Sequence, residues 1–553
     1  MSAKTRSTDL AQAERSAGSA PAKPARSSYD AIVVGGGHNG LACAAYLAKA
    51  GKSVLVLERR HLVGGACVSE QIVPGFTFSA CSYIVSLLRP QVVRELDLPR
   101  FGLEILPLES TFTPFPDGRS LARWSDPQRT RLEIAAFSAR DADVYPEFGL
   151  AMSRLAHFIK PTIDNPAPDP TSLSPRELGA MRRLGLSVRN LDRDLRELAI
   201  RLTTMSAVDF LDLFFESEHL KTPMSASGII GTFLGVRSPG TAYVLLHHYM
   251  GEIDGSYRAW GFVKGGMGRI SLALAGAAQA HGAEILTHSP VARFRVRDGR
   301  ASGVVLENGD EIAARAVISA LDPRRTFLKL VGAEHLEPDF LAGIRRYKLR
   351  GSSGKVNLAL DRFPDFTCRP GAGAHLMGDV SIAPNIAYLE RAYDDAKYGA
   401  FSRRPFLNIV FPSLADPTVA PPGKHVMSIF VQYAPYWLAE GPESWPAQRE
   451  AFADTVIQTL AEYCPSLPDA ILHRHVLTPW DLEQEYGLTE GNIFHGELGL
   501  EQMLFLRPVP GWSRYRTPLR QLWMCAAGTH PGGGVMGASG ELAAKTLLRS
   551  GGV

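Results

Sequence analysis

The 553-residue sequence predicts an α/β fold in which a discontinuous Rossmann-like domain carries an inserted α+β domain. The first observation is a β-strand, a glycine-rich turn and a helix that follow one another near the start of the chain. The second is a glycine-rich loop followed by a helix at the end of the chain, which predicts a return to the same domain. The third is length, because 553 residues exceed what one hydrophobic core usually organises.

The composition excludes several classes of protein. Basic and acidic residues number 59 and 56, and this balance gives no argument for nucleic-acid binding. The six cysteines include no CxxC or CxxxxC spacing, which counts against a zinc finger, a disulfide scaffold or a redox dithiol. No apolar run reaches the 18 or more residues of a membrane-spanning helix. The sequence therefore predicts an enzyme-sized globular chain, and its oligomeric state cannot be read from these features.

The glycine-rich turn has the surroundings of a dinucleotide-binding motif. Residues 30–34 form a short apolar, β-branched run typical of a buried parallel strand. Residues 35–40 satisfy GxGxxG, residues 41–50 have a helical pattern, and residues 53–57 predict a second strand. Strand, turn, helix and strand in this order make the motif far more specific than the glycines alone.

Each motif residue has a mechanical role. We expect Gly35 to permit the tight turn, Gly37 to let the backbone approach a pyrophosphate, and Gly40 to allow close packing of helix on strand. Glu58 ends the second strand, 18 residues after Gly40, where a carboxylate accepts hydrogen bonds from ribose hydroxyls. The helix N-terminus offers N–H groups and a positive dipole to the phosphates.

The rest of the chain predicts helices first and then a second α/β unit. Leucine and valine residues recur at helical spacing around residues 184–202, and the basic stretch 182–201 predicts core packing, with contact to a membrane surface as the alternative. A helix at 269–281 and strands at 284–287 and 316–319 form the second unit. At the C-terminus a strand at 522–525 leads through the loop 528–537 to a helix at 538–548, a second anion-favouring helix end.

These patterns divide the chain into six segments. We expect a disordered tail because residues 1–28 cannot bury enough apolar surface to fold, and they lack the apolar region of a secretory signal. A mitochondrial targeting peptide is the alternative, against which the acidic Asp9 and Glu14 count. The predicted boundaries are 1–28 for the tail, 29–105, 255–335 and 515–553 for the nucleotide-binding domain, and 106–254 and 336–514 for the substrate domain.

Five stretches carry a family resemblance: residues 58–66, 74–78, 83–90, 491–495 and 530–537. Together they resemble the phytoene desaturase-like FAD-dependent oxidoreductases over residues 29–550. The resemblance implies a FAD-binding domain of the glutathione-reductase type with an inserted substrate domain. It implies a mitochondrial matrix location in animals, whereas a bacterial chain would be cytoplasmic. No CxxxxC is present, so the disulfide chemistry of other relatives is in doubt.

The resemblance also implies residues that contact noncovalently bound FAD. Beside the first motif, Arg60, Gly64 and Gly65 would line the diphosphate and ribityl path, and backbone at Val291 would contact the adenine. At the C-terminus, the contacts would come from Gly528, Gly533, Gly534 and Met536. A helix N-terminus there would stabilise the negative charge of a reduced flavin.

Two histidines in these motifs are candidate catalytic residues. His495 and His530 are each a candidate general base or substrate-orienting group, because a histidine pKa lies near physiological pH. The alternative is structural: His530 would brace the glycine loop and His495 would cap a turn. Neighbouring side chains diverge at His247 and His248, so this pair predicts no metal site, and none is expected elsewhere.

The function expected from all of this is hydride transfer between FAD and an unidentified, largely apolar small molecule. Within the same chemistry, a carotenoid desaturase, ketolase or isomerase is the alternative. A second alternative is a FAD-bound scaffold with a protein partner and little turnover. Nucleic acid is not an expected partner, and peripheral membrane contact stays open.

Overall fold

The computed structural model describes residues 23–253, 256–257 and 259–553. Most of the N-terminal tail expected to be disordered therefore lies outside the described residues. The strands are β1 (Ser28–Val34), β2 (Val54–Leu57), β3 (Ser69–Val73), β4 (Phe76–Ser79), β5 (Ile105–Pro107), β6 (Ser110–Pro114), β7 (Ser120–Trp124), β8 (Glu252–Ile253), β9 (Ser256–Tyr257), β10 (Gly261–Val263), β11 (Glu284–Leu286), β12 (Val291–Arg297), β13 (Arg300–Leu306), β14 (Glu311–Ser319), β15 (Ser353–Leu360), β16 (Asp379–Ile382), β17 (Phe406–Val410), β18 (His425–Gln432), β19 (Ile471–Leu477) and β20 (Leu522–Met524). The α-helices are α1 (His38–Lys49), α2 (Pro90–Glu95), α3 (Pro127–Ala135), α4 (Ala139–Ile163), α5 (Pro175–Arg189), α6 (Arg193–Thr204), α7 (Ala207–Asp212), α8 (Glu218–Ser225), α9 (Thr241–Tyr249), α10 (Gly268–Ala280), α11 (Pro338–Arg346), α12 (Ile386–Lys397), α13 (Pro412–Ala415), α14 (Trp445–Ala461), α15 (Leu467–Ala470), α16 (Pro479–Tyr486) and α17 (Ala538–Arg549).

The first sheet gathers strands from three distant parts of the chain. Its order is β11-β2-β1-β14-β13-β12, and β20 also pairs with β14. The pairs β11–β2, β2–β1, β1–β14 and β14–β20 are parallel, whereas β14–β13 and β13–β12 are antiparallel. The central strands are apolar on both faces, as expected for parallel strands covered on both sides. The predicted α/β class is confirmed, while the glutathione-reductase-type detail and the domain boundaries stay predictions.

The second sheet has seven strands in the order β19-β15-β18-β17-β16-β6-β7. Its pairs are antiparallel except β16–β6, which is parallel. On β16, Val380 and Ile382 belong to the hydrophobic core that α14 covers. The alternate residues Asp379 and Ser381 therefore point to the opposite face of the sheet, which lines a cavity.

Helices α4 and α6 to α9 form a separate apolar cluster, and the core packing expected for residues 182–201 holds for only part of that stretch. Leu195 and Leu202 of α6 are buried. Helix α5 instead buries only Glu177, which forms an ion pair with Arg514. The predicted apolar face of α5 is thus exposed, because the chain breaks between α5 and α6 and only α6 packs on the cluster. None of the described helices is both long enough and apolar enough to cross a membrane.

Candidate functional site

A cavity of about 1250 Å³ is lined by residues of both sheets and of the helical cluster. Sites for one drug-sized ligand usually measure about 300–1,000 Å³. The cavity thus has room for more than one small ligand. Ten of the predicted site residues line it: Gly35, Gly37, Gly40, Glu58, Arg60, Gly64, Gly65, Val291, His495 and Gly534.

The first glycine turn forms one wall of the cavity. Gly35 ends β1 with a φ of +105°, and Gly37 is the N-cap of α1. A Cβ on Gly40 would lie 2.8 Å from the Ala320 Cβ and closer still to the Gly35 carbonyl oxygen. A Cβ on Gly37, in contrast, would meet nothing within 4 Å. Gly40 is therefore required by packing, whereas Gly37 borders open space in the cavity.

The second glycine turn lies against the first. The Gly64 N–H donates to the Gly36 carbonyl at 2.8 Å, and a Cβ on Gly65 would lie 3.4 Å from the Gly37 Cα. Gly64 and Gly65 both have positive φ, at +131° and +55°. The two turns thus present adjacent backbone to the same part of the cavity.

Glu58 lies at the carboxyl end of β2 and is almost fully buried. Its Oε2 accepts from the Gly36 N–H at 2.7 Å and its Oε1 from the Arg60 N–H at 2.9 Å. Burial raises the pKa of Glu58, and these two hydrogen bonds oppose the shift. The Ser289 N–H donates to the Glu58 carbonyl, which places nearby Val291 at the same end of the cavity.

The Arg60 guanidinium is already paired. Its Nη2 lies 3.0 Å from both carboxylate oxygens of Glu70, and its charge lies 4.5 Å from the centre of the Tyr486 ring. The Tyr486 hydroxyl also donates to Glu70, at 3.1 Å. Arg60 and Tyr486 both line the cavity; Glu70 balances the arginine charge there, while the buried Arg60 Nη1 has no hydrogen-bond partner among the described residues.

The C-terminal loop brings a second helix end to the cavity. A Cβ on Gly540 would overlap the Asn39 carbonyl oxygen, so α17 packs directly against the first turn of α1. No side chain caps either helix, because Gly37 and Gly537 occupy the N-cap positions. Gly534 and Val535 line the cavity just ahead of α17. Two uncapped helix N-termini therefore lie side by side.

Three predicted contacts in this loop lie behind the cavity wall. A Cβ on Gly533 would overlap the Phe494 ring, and one on Gly528 would lie 2.5 Å from the Pro323 Cδ. Met536 is 2 % exposed and belongs to the core of the helical cluster. These residues shape the loop by packing, and the cavity surface is formed by Ala526, Ala527, Gly534 and Val535 instead.

His495 lines the cavity, and a second histidine that sequence reasoning missed lies close to it. Burial lowers the pKa of His495. Burial is also the main cause that lowers the pKa of His38 to about 4, and the nearby His495 contributes to the same shift. Both rings are therefore neutral near pH 7. In the described part of the chain, no hydrogen bond reaches the His495 Nδ1 or the His38 Nε2. The signal for His38 was its place inside the glycine motif.

His530 faces away from the cavity. Its Nε2 lies 2.6 Å from the Thr162 carbonyl oxygen and 3.1 Å from that of Asn165, at the end of α4. Burial lowers its pKa to about 4. A neutral ring that hydrogen-bonds to these carbonyls ties the glycine loop to the helical cluster. This geometry corresponds to the bracing alternative and gives His530 no contact with a molecule in the cavity.

Arg507 is a second residue that the sequence analysis missed. Its buried guanidinium donates to five carbonyl oxygens, those of Phe494, Gly496, Glu497, Gln502 and Ala527. It thereby fixes the segment that carries His495 against the strand-to-loop turn after β20. An arginine inside a Pro-containing loop gave no sequence signal, because its partners are all main-chain atoms.

Lys355 on β15 is the third missed residue. It is 2 % exposed, and its Nζ lies 3.9 Å from the centre of the Tyr83 ring. Among the described residues its Nζ has no hydrogen-bond partner, and burial holds its pKa well below the usual value. Tyr83 and Cys81, which also influences this lysine, line the cavity. The visible signal was a lysine inside the apolar strand 353–360.

The two cavity cysteines are poorly suited to redox or metal chemistry. Burial raises the pKa of Cys67 to about 11 and that of Cys81 to about 12, so both stay protonated thiols at neutral pH. Within residues 23–253, 256–257 and 259–553, no group of three or more His, Cys, Asp or Glu side chains is arranged to hold a metal ion.

These residues fit a bound flavin dinucleotide. Gly37 borders open space, Glu58 is buried at the ribose position, and two uncapped helix N-termini favour negative charge. The Asn39 Oδ1 and the His38 Nε2 are buried without hydrogen-bond partners among the described residues, as expected where a ligand completes the site. The fit rests on the donor groups and the open space together.

Comparison with known proteins agrees with a flavin-binding site. Residues 40–548 match the family of flavin containing amine oxidoreductases. The chain is 41% identical to rat pyridine nucleotide-disulfide oxidoreductase domain-containing protein 2, over 94% of this chain and 93% of the relative. It is 26% identical to the lycopene-forming phytoene desaturase of Pantoea ananas, over 93% and 98%. The fold resembles that of an oxidoreductase from Methanosarcina mazei, with a TM-score of 0.58, 19% identity and coverage of 94% and 99%. The resemblance to phytoene desaturase-like proteins is confirmed.

Proposed function

The chain belongs to the flavin containing amine oxidoreductase family, and from this premise we propose that it oxidises a largely apolar small molecule in the cavity. It is a FAD-dependent oxidoreductase. Bound FAD would supply the acceptor for a hydride removed from the substrate. The observation that carries the proposal is one continuous cavity, lined at one end by the glycine turns and Glu58 and at the other by the second sheet.

The chain's own residues would bind and orient the cofactor. Gly37 and the first turn of α1 would hold the diphosphate, Glu58 would accept from ribose hydroxyls, and the segment at Val291 would lie along the adenine. The N-terminus of α17 would favour negative charge beside Gly534. We propose that FAD is bound noncovalently.

His495 is the proposed proton acceptor. It lines the cavity, its pKa is lowered by burial, and its Nδ1 is free of hydrogen bonds from the described residues. A neutral imidazole with an available nitrogen accepts a proton from a substrate group that ionises during oxidation. His495→Asn should therefore retain FAD while lowering the rate of flavin reduction by 10²- to 10⁴-fold, the usual contribution of a general base.

The apolar substrate class is supported by the cavity walls. Leu87, Ile230, Phe406, Phe430 and Phe494 line it, and apolar lining favours an apolar ligand. The relative from Pantoea ananas is a phytoene desaturase, which supports the same class. The test is an anaerobic screen of terpenoids, fatty alcohols and amines against the purified yellow protein. Bleaching of the flavin band by one compound supports turnover; no bleaching by any, with FAD bound and reducible by light, supports a scaffold.

We propose in addition a peripheral contact with an anionic membrane surface through α5. Leu178, Leu186 and Val188 are exposed there, beside Arg182 and Arg183. Exposed apolar side chains with arginines are typical of helices that lie on anionic lipid. Flotation with phosphatidylglycerol vesicles should recover the protein, and phosphatidylcholine vesicles should not. Leu186→Glu with Val188→Glu should abolish flotation; unchanged flotation would contradict the contact.

A further inference from the structure

The wall of the cavity formed by the second sheet carries a row of polar side chains. Arg123 on β7 pairs laterally with Thr111 on β6, and Thr111 pairs with Asp379 on β16. Laterally paired residues project from the same face of a sheet. All three line the cavity, whereas the alternate residues Phe112 and Val380 are buried in the core on the opposite face.

A second row lies beside the first and fixes it. Ser381 on β16 pairs laterally with Asn408 on β17. The Asn408 Nδ2 donates to the Asp379 Oδ2 at 3.0 Å, and the Asn408 Oδ1 accepts from the Tyr83 hydroxyl at 2.9 Å. Ser381 donates to the same Oδ2. Asn408 and Ser381 therefore both donate to the Asp379 Oδ2, and neither donates to the Asp379 Oδ1.

Arg123 is held in a similar way. Its Nε donates to the Thr111 hydroxyl at 2.9 Å, which orients the guanidinium and leaves its terminal amino groups out of that bond. The row thus combines an acceptor at Asp379 with donors at Arg123. Both side chains are half-buried, and a hydrocarbon can form a hydrogen bond with neither of them.

We propose that this row binds the polar end of an amphipathic substrate, a neutral hydroxyl or amide group that donates to Asp379 and accepts from Arg123. The inference rests on the proposed function and refines it: the substrate has an apolar body and one neutral polar end. An ammonium group would be attracted by Asp379 but repelled by Arg123. A carboxylate would be attracted by Arg123 but repelled by Asp379. A neutral group with both donor and acceptor matches both.

The test uses four eight-carbon probes: octane, 1-octanol, octylammonium and octanoate. Calorimetric titration into the FAD-loaded protein should show 1-octanol binding about tenfold more tightly than each of the other three. Asp379→Ala should remove this preference. Asp379→Asn should keep 1-octanol binding within about threefold, because an amide oxygen still accepts a hydrogen bond. Asp394→Ala, on the exposed side of α12, is the control and should change nothing.

Three results would overturn the proposal. Octylammonium as the tightest ligand, lost in Asp379→Asn, would make the row a cation site. Octanoate as the tightest ligand, lost in Arg123→Met, would make it an anion site. Equal binding of all four probes would show no polar recognition. Each of these three results leaves FAD binding intact. Failure of the proposed function would instead appear as a protein without FAD, or as a flavin that no substrate bleaches. The calorimetric preference among the probes is measured independently of FAD content and of bleaching.

Discussion

At the scale of single residues, the two glycines of the first turn separate ligand binding from folding. Gly37 has a φ of −70° and a Cβ there would meet nothing within 4 Å, so valine is sterically allowed in the folded chain. Its side chain would nevertheless occupy the space where a diphosphate approaches the backbone. We expect Gly37→Val to fold with unchanged circular dichroism and to purify without FAD, measured as the ratio of 450 nm to 280 nm absorbance.

The matched variant is Gly40→Val. Its Cβ would overlap the Gly35 carbonyl oxygen, so we expect loss of folded protein and not selective loss of cofactor. Normal FAD content in Gly37→Val would show that the assignment of the diphosphate site is wrong.

Lys355 gives a second prediction at this scale. A buried lysine without a hydrogen-bond partner costs stability, and strongly perturbed groups beside a cavity are candidates for function. Lys355→Met preserves the length of the side chain and removes the charge. We expect its melting temperature to equal or exceed that of the native protein, while the rate of flavin reduction falls at least tenfold. Lys397→Met, on an exposed ion pair, is the control with no change in either measurement. An unchanged rate in Lys355→Met would leave this lysine without a role in the reaction.

At the scale of elements, the loop that carries His495 depends on Arg507. Removing this guanidinium takes a donor from five carbonyl oxygens, of which that of Glu497 keeps the Gln502 Nε2 as a second donor. Each buried carbonyl left unsatisfied costs about 1–3 kcal/mol before relaxation. Relief from burying the charge offsets part of this. We expect Arg507→Leu to lower the free energy of unfolding by about 3 kcal/mol in urea denaturation.

The same variant should disturb the site, because the loop loses its anchor beside the strand-to-loop turn after β20. We expect reduced FAD content at the same protein concentration. Arg403→Leu is the control, since its guanidinium is exposed and an ion pair of this kind contributes at most about 1 kcal/mol. If the two arginine variants unfold at the same urea concentration, the anchoring role is refuted.

The first motif lies on the cavity wall, and its role in binding stays a prediction; tertiary packing explains why other predicted residues lie behind that wall. The turn at 35–40 and the acid at 58 form the cavity wall because each is set by a short stretch of chain. Gly528 and Gly533 also lie in a glycine-rich loop before a helix. A side chain at either position would overlap Pro323 or Phe494, so packing explains these two glycines. Helix α5 had the right periodicity for a core face, yet among its described residues only Glu177 is buried. Periodicity identifies an apolar face and not the partner that covers it.

At the scale of the whole molecule, the polar row could not have been read from the sequence at all. Thr111, Arg123 and Asp379 come from strands that are up to 268 residues apart, and their register depends on the parallel pairing of β16 with β6. The cavity likewise joins the ends of two sheets that the sequence places in alternating segments. The first glycine turn and Glu58 are local in sequence, whereas Val291, Gly534 and the polar row reach the cavity only in the assembled fold.

The last prediction concerns nicotinamide. The chain has a further glycine-rich helix start, at Gly265 to Gly268 before α10, and its hydrogen bonds differ from those at the start of α1. The N–H groups there are already bonded: that of Gly265 to Asp416, that of Met267 to Ser79, and that of Gly268 to Ser69.

Space is lacking there as well. A Cβ on Gly268 would lie 2.5 Å from the Ser69 backbone nitrogen, so β3 packs directly on this helix start and excludes a phosphate. We therefore expect NADH and NADPH to reduce the bound flavin only at background rates, with reducing equivalents supplied by the organic substrate. Stopped-flow mixing with each nucleotide under argon measures this, and dithionite is the control that shows the flavin to be reducible. Rapid bleaching that saturates with nucleotide concentration would require a hydride-donor site in the large cavity itself, since the start of α10 has neither free N–H groups nor room for one.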